Sequence, residues 1–278
     1  MIHTYNEYHL GDNLVHLNFL RRACKENPDL EFVHHCNPAH VGQLIHMTEG
    51  MPIQLADLYI PPDAVNAWIG RDNYFYSHPL RNDWVLFHLA WFDHLSSLLG
   101  ISNPIACRED FLFEYPALNA PTRYDFDYLI INSQPQSNQL PDFSPQFFEN
   151  RVRNLTNEGY KVVTTSPTGM CPCTLDHHFS VTDIGVLSKY VKHIEGVATG
   201  PMWTTFNIFN QNKVLTRTFY CAHQTVNLTD NTVTKHKLWI FFGGKSVGGH
   251  APHRVKSIQV SQASVSVKQL ISQSLPDP

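Results

Sequence analysis

The sequence predicts an α/β protein with parallel sheets, arranged as two Rossmann-like domains. Short apolar segments alternate with helical segments, a pattern typical of parallel sheets rather than of hairpins closed by tight glycine turns. The apolar share of 42% and the aromatic share of 12% supply a core and exclude a disordered chain. A loop at 103–125, rich in Pro, Asn and acidic residues, separates two runs of elements. We therefore expect an N-terminal domain at 1–122 and a C-terminal domain at 123–278.

In the first half, apolar residues at helical spacing predict a first helix, which Asp12 or Asn13 caps and Asn27-Pro28 ends. A wide apolar stripe that includes His88 and Trp91 predicts a packed helix before Gly100, with the aromatic residues as core. The expected elements are a helix at 14–26, a strand at 30–34, a helix at 40–47, a strand at 54–60 and a helix at 80–99.

The second half repeats this alternation. An apolar strand is followed by a polar loop and by an amphipathic helix that Pro145 opens. The expected elements are strands at 128–132, 161–165, 193–198, 215–221 and 237–242, and helices at 145–157, 180–192 and from 200 onward, followed by a Gly-rich loop and a last amphipathic segment.

Charge and composition exclude several classes of partner. The 20 Lys and Arg against 24 Asp and Glu give a net charge of −4, without the broad basic surface that nucleic acid requires. The sequence shows no leader pattern at Met1–Glu7 and no apolar run of about 18 residues that would span a membrane. Six cysteines without a paired framework suit a reducing compartment. We expect a cytoplasmic protein with no nucleic-acid partner and no transmembrane segment.

Three short motifs resemble ligand sites but have simpler explanations. Gly243-Gly244-Lys245-Ser246 lacks the first glycine of a P-loop, since position 239 is Trp239, and is interpreted as a surface loop. Asp125 and Asp127 have the spacing of a metal and diphosphate site but precede a strand, which favours a polar turn. The cysteines and histidines of 171–178 match no common zinc spacing. We therefore expect no metal site.

Two segments place residues at the beginning of helices, where unpaired N–H groups favour an anion. In Thr199-Gly200-Pro201-Met202, the glycine allows close approach and the threonine adds a hydroxyl donor, so this segment favours phosphate. In Gly11-Asp12 the aspartate is itself negative. It either accepts a proton or caps its helix, and the motif leaves both interpretations open.

Several segments together resemble one family. Gly11-Asp12 with the following helix and Pro28-Asp29-Leu30-Glu31, then Leu129-Ile130-Ile131-Asn132, 143–148, 180–188 and 196–202, are similar to the lipopolysaccharide heptosyltransferase-like glycosyltransferases. The resemblance covers about residues 5–50 and 125–210. It implies a GT-B architecture with a cleft between two Rossmann-like domains, the acceptor held by the first and a nucleotide-sugar by the second as co-substrate, with no other cofactor.

The resemblance also implies roles for individual residues. Asp12 is the catalytic base, and the Thr-Gly-Pro-Met segment contacts the donor diphosphate through backbone N–H groups. Asp183 binds a donor hydroxyl or only caps its helix. His16 either assists with the acceptor or is a partly buried packing histidine. The donor-binding candidates are Ser133, Gln134, Thr164, Thr165, Asp183, Thr199, Gly200, Pro201 and Met202; the acceptor-binding candidates are Gly11, Asn13 and His16.

The chain departs from the family pattern at three places. Ala198 stands where the family has Asp, Trp203 where it has His, and the loop at 133–140 lacks the expected basic residue. The favoured hypothesis is an inverting, metal-independent glycosyltransferase that transfers a sugar to a glycan or other hydroxyl acceptor. The alternative is a catalytically degenerate protein that binds a nucleotide or a glycan.

Overall fold

The computed structural model describes residues 1–71, 84–101, 112–114, 124–136, 143–197 and 199–207, and three later strands at 216–221, 246–249 and 254–258. These residues form two compact units, the first unit within 1–116 and the second unit within 117–262. Each unit contains a sheet with parallel strands and flanking helices. The predicted α/β class with parallel sheets is confirmed.

The first unit is built on a sheet whose described strands follow the order β3-β2-β1-β4 and are all parallel. The strands pair in register from Ile2 opposite Phe32 to Asn6 opposite Cys36. Its elements are β1 (Ile2–Asn6), α1 (Leu10–Glu26), β2 (Phe32–Cys36), α2 (Pro38–Leu44) with a 3-10 turn at Ile45–Met47, β3 (Ile53–Asp57), β4 (Val65–Asn66) and α3 (Trp84–Leu98).

The strand order of this sheet reverses beside β1. The chain runs from β1 through α1 to β2 and β3 on one side, whereas β4 pairs with β1 on the other side. In open parallel sheets, ligands bind beyond the carboxyl ends of the strands at such a switch point. The carboxyl ends of β1 and β4 are Asn6 and Asn66, so the topology predicts a site beside these two asparagines.

Helix α1 begins earlier than the sequence predicts. Its first residue is Leu10, and its N-cap is His9, which makes no side-chain capping bond. Asp12 is therefore the third helical residue and not the N-cap, but its carboxylate accepts the backbone N–H of the N-cap residue His9, as a capping residue at this position does. The capping and proton-accepting interpretations of Asp12 both stay open. Acidic residues are favourable both at the cap and within the first turn, so composition alone does not separate the two positions.

The core of the first unit combines apolar packing with buried polar groups. Leu14, Leu17 and Phe19 of α1 are fully buried, and Phe19 packs against Phe92 of α3. All five residues of β2 are buried. Two of them are the histidines His34 and His35, an unusual content for the centre of a parallel sheet, where apolar residues normally dominate.

The described strands of the second unit follow the order β6-β5-β7-β8-β10-β9. The first four are parallel, and β10 pairs antiparallel with both β8 and β9. Its elements are β5 (Tyr128–Ile131), α4 (Pro145–Asn157), β6 (Val162–Thr164), a 3-10 turn at Thr174–His177, α5 (Val181–Leu187), a 3-10 turn at Ser188–Tyr190, β7 (His193–Val197), α6 (Gly200–Thr204), β8 (Thr216–Cys221), β9 (Ser246–Gly249) and β10 (Arg254–Ile258).

Strands β5 and β7 of the second unit approach each other very closely at one residue. Gly196 has a φ of 157°, and a Cβ built on it would lie 2.2 Å from the carbonyl oxygen of Ile131. Only glycine fits there. Strands β6 and β7 lie on opposite sides of β5, so the strand order of the second sheet reverses at β5. The close approach of Gly196 to Ile131 therefore lies at the switch point of this sheet.

The helix at 145–157 is confirmed at both ends, because Ser144 caps it by accepting the N–H of Phe147 and Pro145 occupies its first turn. The strand at 30–34 lies two residues further on, and the helix at 180–192 ends in a 3-10 turn. The predicted strand at 237–242, the last amphipathic segment and Ala198 lie outside the described residues.

Candidate active site at the switch point of the first sheet

A pocket of about 240 Å³, including its open mouth, lies at the carboxyl ends of β1 and β4. It therefore occupies the place that the strand order predicts for a ligand. Helix α1 contributes one wall and helix α3 another. The lining residues are Asn6, Asp12, Val15, His16, Ala67, Ile69, His88, Trp91 and Phe92.

Two matching turns follow the strands β1 and β4. The side-chain oxygen of Asn6 accepts the N–H of Tyr8 at 3.0 Å, and that of Asn66 accepts the N–H of Trp68 at 2.9 Å. Each strand thus ends in an asparagine that bonds two residues onward, an Asx turn. The rings of Tyr8 and Trp68 stack with their centroids 3.9 Å apart. The Trp68 ring also covers Gly70, where a Cβ would lie 2.3 Å from it.

Asp12 supplies the ionisable group of the pocket. Part of the residue remains accessible at the mouth, while protein atoms surround the carboxyl group. Loss of solvation raises the pKa of Asp12 to about 6, and the nearby His9 with its backbone N–H opposes the rise. The carboxyl group therefore changes charge near neutral pH, as a group that takes up and releases protons requires.

Two further polar side chains of the pocket are buried with atoms that have no hydrogen-bond partner within the described residues. They are Nδ2 of Asn6, which is 1% exposed, and both ring nitrogens of His16, which is 2% exposed. Burial and the neighbouring His34 hold the pKa of His16 well below its usual range, so its ring is neutral. Unpartnered buried polar groups are rare in folded proteins and mark candidate ligand sites.

Asn13, a predicted acceptor ligand, takes a different role. It is fully buried, and its amide bonds to the carbonyls of Tyr8 and His9 and to Nε2 of His34 at 2.8 Å. His34 in turn bonds Thr4 at 3.0 Å. This chain of bonds connects α1 to the strands and leaves Asn13 outside the pocket lining, so its geometry does not support acceptor binding. The prediction for His16 stays open, since His16 lines the pocket; Gly11 is not among the lining residues.

The corresponding edge of the second sheet brings together several predicted donor ligands. The side-chain oxygen of Asn132 accepts the N–H groups of Thr165 and Ser166 at 3.1 and 2.8 Å, and its NH₂ donates to the carbonyl of Ser166 at 3.0 Å. The hydroxyls of Ser133 and Thr165 bond each other at 2.8 Å. Asn132, which was not predicted as a site residue, ties the carboxyl ends of β5 and β6 together.

The predicted phosphate segment offers fewer backbone donors than its sequence indicates. The N–H groups of Thr199 and Met202 donate to backbone carbonyls, and Pro201 has none. Among the bonds between described residues, none of those outside the helices and strands uses the N–H of Gly200, so this group is the candidate backbone donor of the segment. The hydroxyl of Thr199 is buried and has no partner within the described residues. The expectation that the whole segment donates N–H groups is wrong for this geometry.

The other donor candidates divide into buried and capping residues. Asp183 forms a capping box with Ser180, accepting its N–H at 2.8 Å, so the capping interpretation is the one the structure supports. Thr164 and Met202 are fully buried, and Gln134 is exposed.

Residues of the motifs that resembled metal sites form ion pairs or begin a 3-10 turn. Asp125 pairs with Lys161, and Asp127 pairs with Lys192 at 2.8 Å, which confirms a polar turn before β5. Cys173 lies at the N-cap of a 3-10 turn. Among the described residues, no group of three or more His, Cys, Asp or Glu side chains is placed to hold a metal ion.

Of the nine lining residues, only Asp12 and His16 were predicted as site residues, and three of the other seven carry polar groups. Asn6 was not singled out, although an asparagine that ends a buried strand shortly before Gly-Asp is a usable signal. His88 and Trp91 were interpreted as core, and they are almost fully buried. Both also line the pocket, and the indole N–H of Trp91 donates to the carbonyl of Ala67 at 3.1 Å, which fixes α3 against the end of β4.

No family model and no curated protein matches the chain. Similar solved structures include TibC, an iron-containing dodecameric glycosyltransferase from enterotoxigenic E. coli, with 14% identity over 73% of this chain and a TM-score of 0.47. This chain spans 54% of TibC. The E. coli heptosyltransferase WaaC, with ADP-2-deoxy-2-fluoro heptose, has 10% identity over 73% of this chain and 84% of its own, with a TM-score of 0.42.

A glycosyl transferase family 9 protein from Veillonella parvula has 12% identity over 73% of this chain and 76% of its own, with a TM-score of 0.44. All three belong to the class of proteins that the sequence motifs resemble. Within the described residues, no helix combines the length and the apolar character needed to cross a membrane.

Proposed function

We propose that this protein is a glycosyltransferase that moves a sugar from a nucleotide-sugar donor to a hydroxyl acceptor, with inversion at the anomeric carbon. One observation carries the proposal. A carboxyl group with a pKa of about 6, Asp12, lines a pocket at the switch point of a parallel sheet. The resemblance of the Gly11-Asp12 segment assigns this same residue as catalytic base.

Asp12 acts as a general base in this mechanism. At neutral pH its carboxylate is largely ionised, yet its raised pKa makes it a better proton acceptor than an ordinary aspartate. The acceptor hydroxyl loses its proton to Asp12 while its oxygen forms a bond to the anomeric carbon. The bond between that carbon and the diphosphate breaks, and the leaving group departs with the electron pair. Attack from the face opposite the leaving group inverts the configuration.

The second unit binds the donor in this proposal, as one of two Rossmann-like domains in a GT-B arrangement. Gly200 N–H and the hydroxyl of Thr199 are the donors beside β7, and Ser133 lies after the neighbouring β5. These groups stabilise the diphosphate by hydrogen bonds, so the mechanism needs no metal ion. Few backbone donors remain there, and we expect weak diphosphate binding.

A ligand screen followed by an activity assay tests the proposal. Thermal unfolding is measured with nucleoside diphosphates and their sugars, because a ligand that binds only the folded protein raises the apparent stability. The nucleotide-sugars that stabilise the protein are then assayed as donors for turnover, with and without EDTA, which removes divalent metal ions. We expect at least one to stabilise it and to be turned over equally in both conditions, and Asp12→Ala to bind this donor without turnover.

Two outcomes contradict the proposal. The first is no stabilisation by any nucleotide, and the second is full turnover by Asp12→Ala. Donor binding without turnover by the wild type, in the presence of acceptor or water, supports the alternative function of a nucleotide- or glycan-binding protein.

A further inference from the structure

We propose that Asn6 and His16, together with Asp12, form a receptor for one uncharged hydroxyl group at the inner end of the pocket. The inference rests on the proposed function and names the substrate class of that site. Asn6 and His16 are positioning residues here, because they hold the hydroxyl group that Asp12 deprotonates. Three independent features of the pocket carry the inference.

The first feature is the orientation of the Asn6 amide. Its oxygen accepts the N–H of Tyr8 at 3.0 Å, so its NH₂ group is the end that remains without a partner within the described residues. The pocket therefore presents a hydrogen-bond donor from Asn6 and an acceptor from the carboxylate of Asp12. A hydroxyl group has the chemistry to pair with both, since its oxygen accepts from an NH₂ group such as that of Asn6 while its proton is donated to a carboxylate such as that of Asp12.

The second feature is the neutral ring of His16. Both of its nitrogens are buried without a partner in the described part of the chain, and its ring lies 4.7 Å from that of His34. A neutral imidazole offers one donor and one acceptor, so it matches a hydroxyl rather than an anion. A side chain that served only to fill this space would be apolar, because an unpartnered buried polar group costs about 1–3 kcal/mol.

The third feature is the wall of the pocket. Its other residues are apolar or aromatic apart from His88, and Asp12 is the only acidic or basic side chain among the described lining residues other than the histidines. An anionic group would meet the negative carboxylate without a compensating cation.

Two substitutions test the receptor with little change of shape. Asn6→Asp preserves the acceptor for the N–H of Tyr8 and removes the NH₂ donor. Asn66→Asp is its matched control, because Asn66 forms the same turn with Trp68 and does not line the pocket. His16→Leu replaces the ring by an apolar side chain of similar size. Each protein is assayed for transfer to glycerol, used as the hydroxyl probe, from the donor found in the ligand screen.

We expect Asn6→Asp and His16→Leu to lower kcat/KM for glycerol about tenfold, as the loss of one hydrogen bond implies, with the donor KM unchanged. The melting temperature of His16→Leu should equal or exceed that of the wild type. Asn66→Asp should match the wild type in kcat/KM. Unchanged kcat/KM in both Asn6→Asp and His16→Leu, or a loss accompanied by an equal loss in Asn66→Asp, overturns the receptor.

A crystallographic measurement tests the receptor separately from the proposed function. In crystals of the full chain soaked with glycerol, a hydroxyl oxygen should lie within about 3.2 Å of both Nδ2 of Asn6 and the Asp12 carboxylate. It should be absent in Asn6→Asp. If no donor is turned over but this oxygen is present, the transferase proposal fails and the receptor stands. A pocket that takes up no hydroxyl group in the wild type overturns the receptor even if donors are turned over.

Discussion

The carboxyl edges of the two parallel sheets differ in how they use their polar residues. At the edge of the first sheet, Asn6 and His16 face a pocket with unpartnered nitrogens. At the edge of the second, the side chains of Asn132, Ser133 and Thr165 bond to one another and to nearby backbone. The first edge thus leaves side-chain donors unpartnered beside its pocket, whereas the side chains that follow β5 and β6 of the second sheet satisfy one another. At the second edge, the hydroxyl of Thr199 beyond β7 is the buried side-chain group without a partner within the described residues.

Gly196→Ala should have the largest effect on the second edge. The new Cβ would overlap the backbone of Ile131, which cannot move without separating β5 from β7. We expect a loss of about 3 kcal/mol or more in the free energy of unfolding of the second unit, measured by chemical denaturation. Gly42→Ala in α2 is the control, because its Cβ meets nothing within 4 Å and should stabilise the helix slightly. Equal stability of the two variants would contradict the close approach.

Asn132→Ala should destabilise the second unit by about 1–3 kcal/mol, because it leaves the N–H of Ser166 without its acceptor. The N–H of Thr165 retains its bond to the carbonyl of Ile130 at 3.0 Å. Asn132→Asp preserves an acceptor and should cost about 1 kcal/mol. Hydrogen exchange measures the effect directly, since the amide of Ser166 should exchange faster in the alanine variant alone, whereas the amide of Thr165 should change little because it also bonds Ile130. Slow exchange in that variant would show that other groups hold this edge.

Asp12→Asn should stabilise the first unit at pH 7 to 8 by about 1–3 kcal/mol, in contrast to the change at Asn132. The raised pKa of Asp12 means that its ionised form costs the folded state up to about 3 kcal/mol at this pH. The partial exposure of Asp12 and its bond to His9 reduce this cost. Thermal unfolding at several pH values measures this gain, which should disappear below about pH 4. Between pH 4 and 6 the folded state binds the extra proton, so in this interval the Asp12 contribution to stability falls as pH rises.

The buried histidines His16 and His34 of the first unit change the free energy of unfolding with pH in the direction opposite to Asp12. Burial lowers the pKa of His34 to about 3 and holds that of His16 well below its usual range, so below about pH 6.5 the unfolded chain binds more protons than the folded one. Their contribution to the free energy of unfolding therefore falls as pH falls. His16→Leu should reduce this acid sensitivity; an unchanged pH dependence would contradict the buried neutral ring.

The sequence predicted elements with strong local signals well and elements defined by distant pairing poorly. The cap at Ser144 and Pro145 gave the right helix because capping is local. Strand β4 has two residues and exists through its pairing with β1, which no local pattern reports. The sequence identified Asp12 as the candidate base, but Asn6 and Trp91, which line the same pocket, come from other elements. Their proximity depends on the strand order at the switch point, which periodicity does not specify.

The pH dependence of sugar transfer in the wild type and in Asp12→Asn tests the assignment of Asp12 as the base. We expect kcat/KM of the wild type to rise with pH to a half-maximum near pH 6, since the ionised Asp12 is the base. Asp12→Asn should lose about 10²- to 10⁴-fold in kcat and should no longer show this rise, with donor binding retained. A wild-type profile without an ionisation near pH 6, or an Asp12→Asn variant with the wild-type rate, would contradict the assignment of Asp12 as the base.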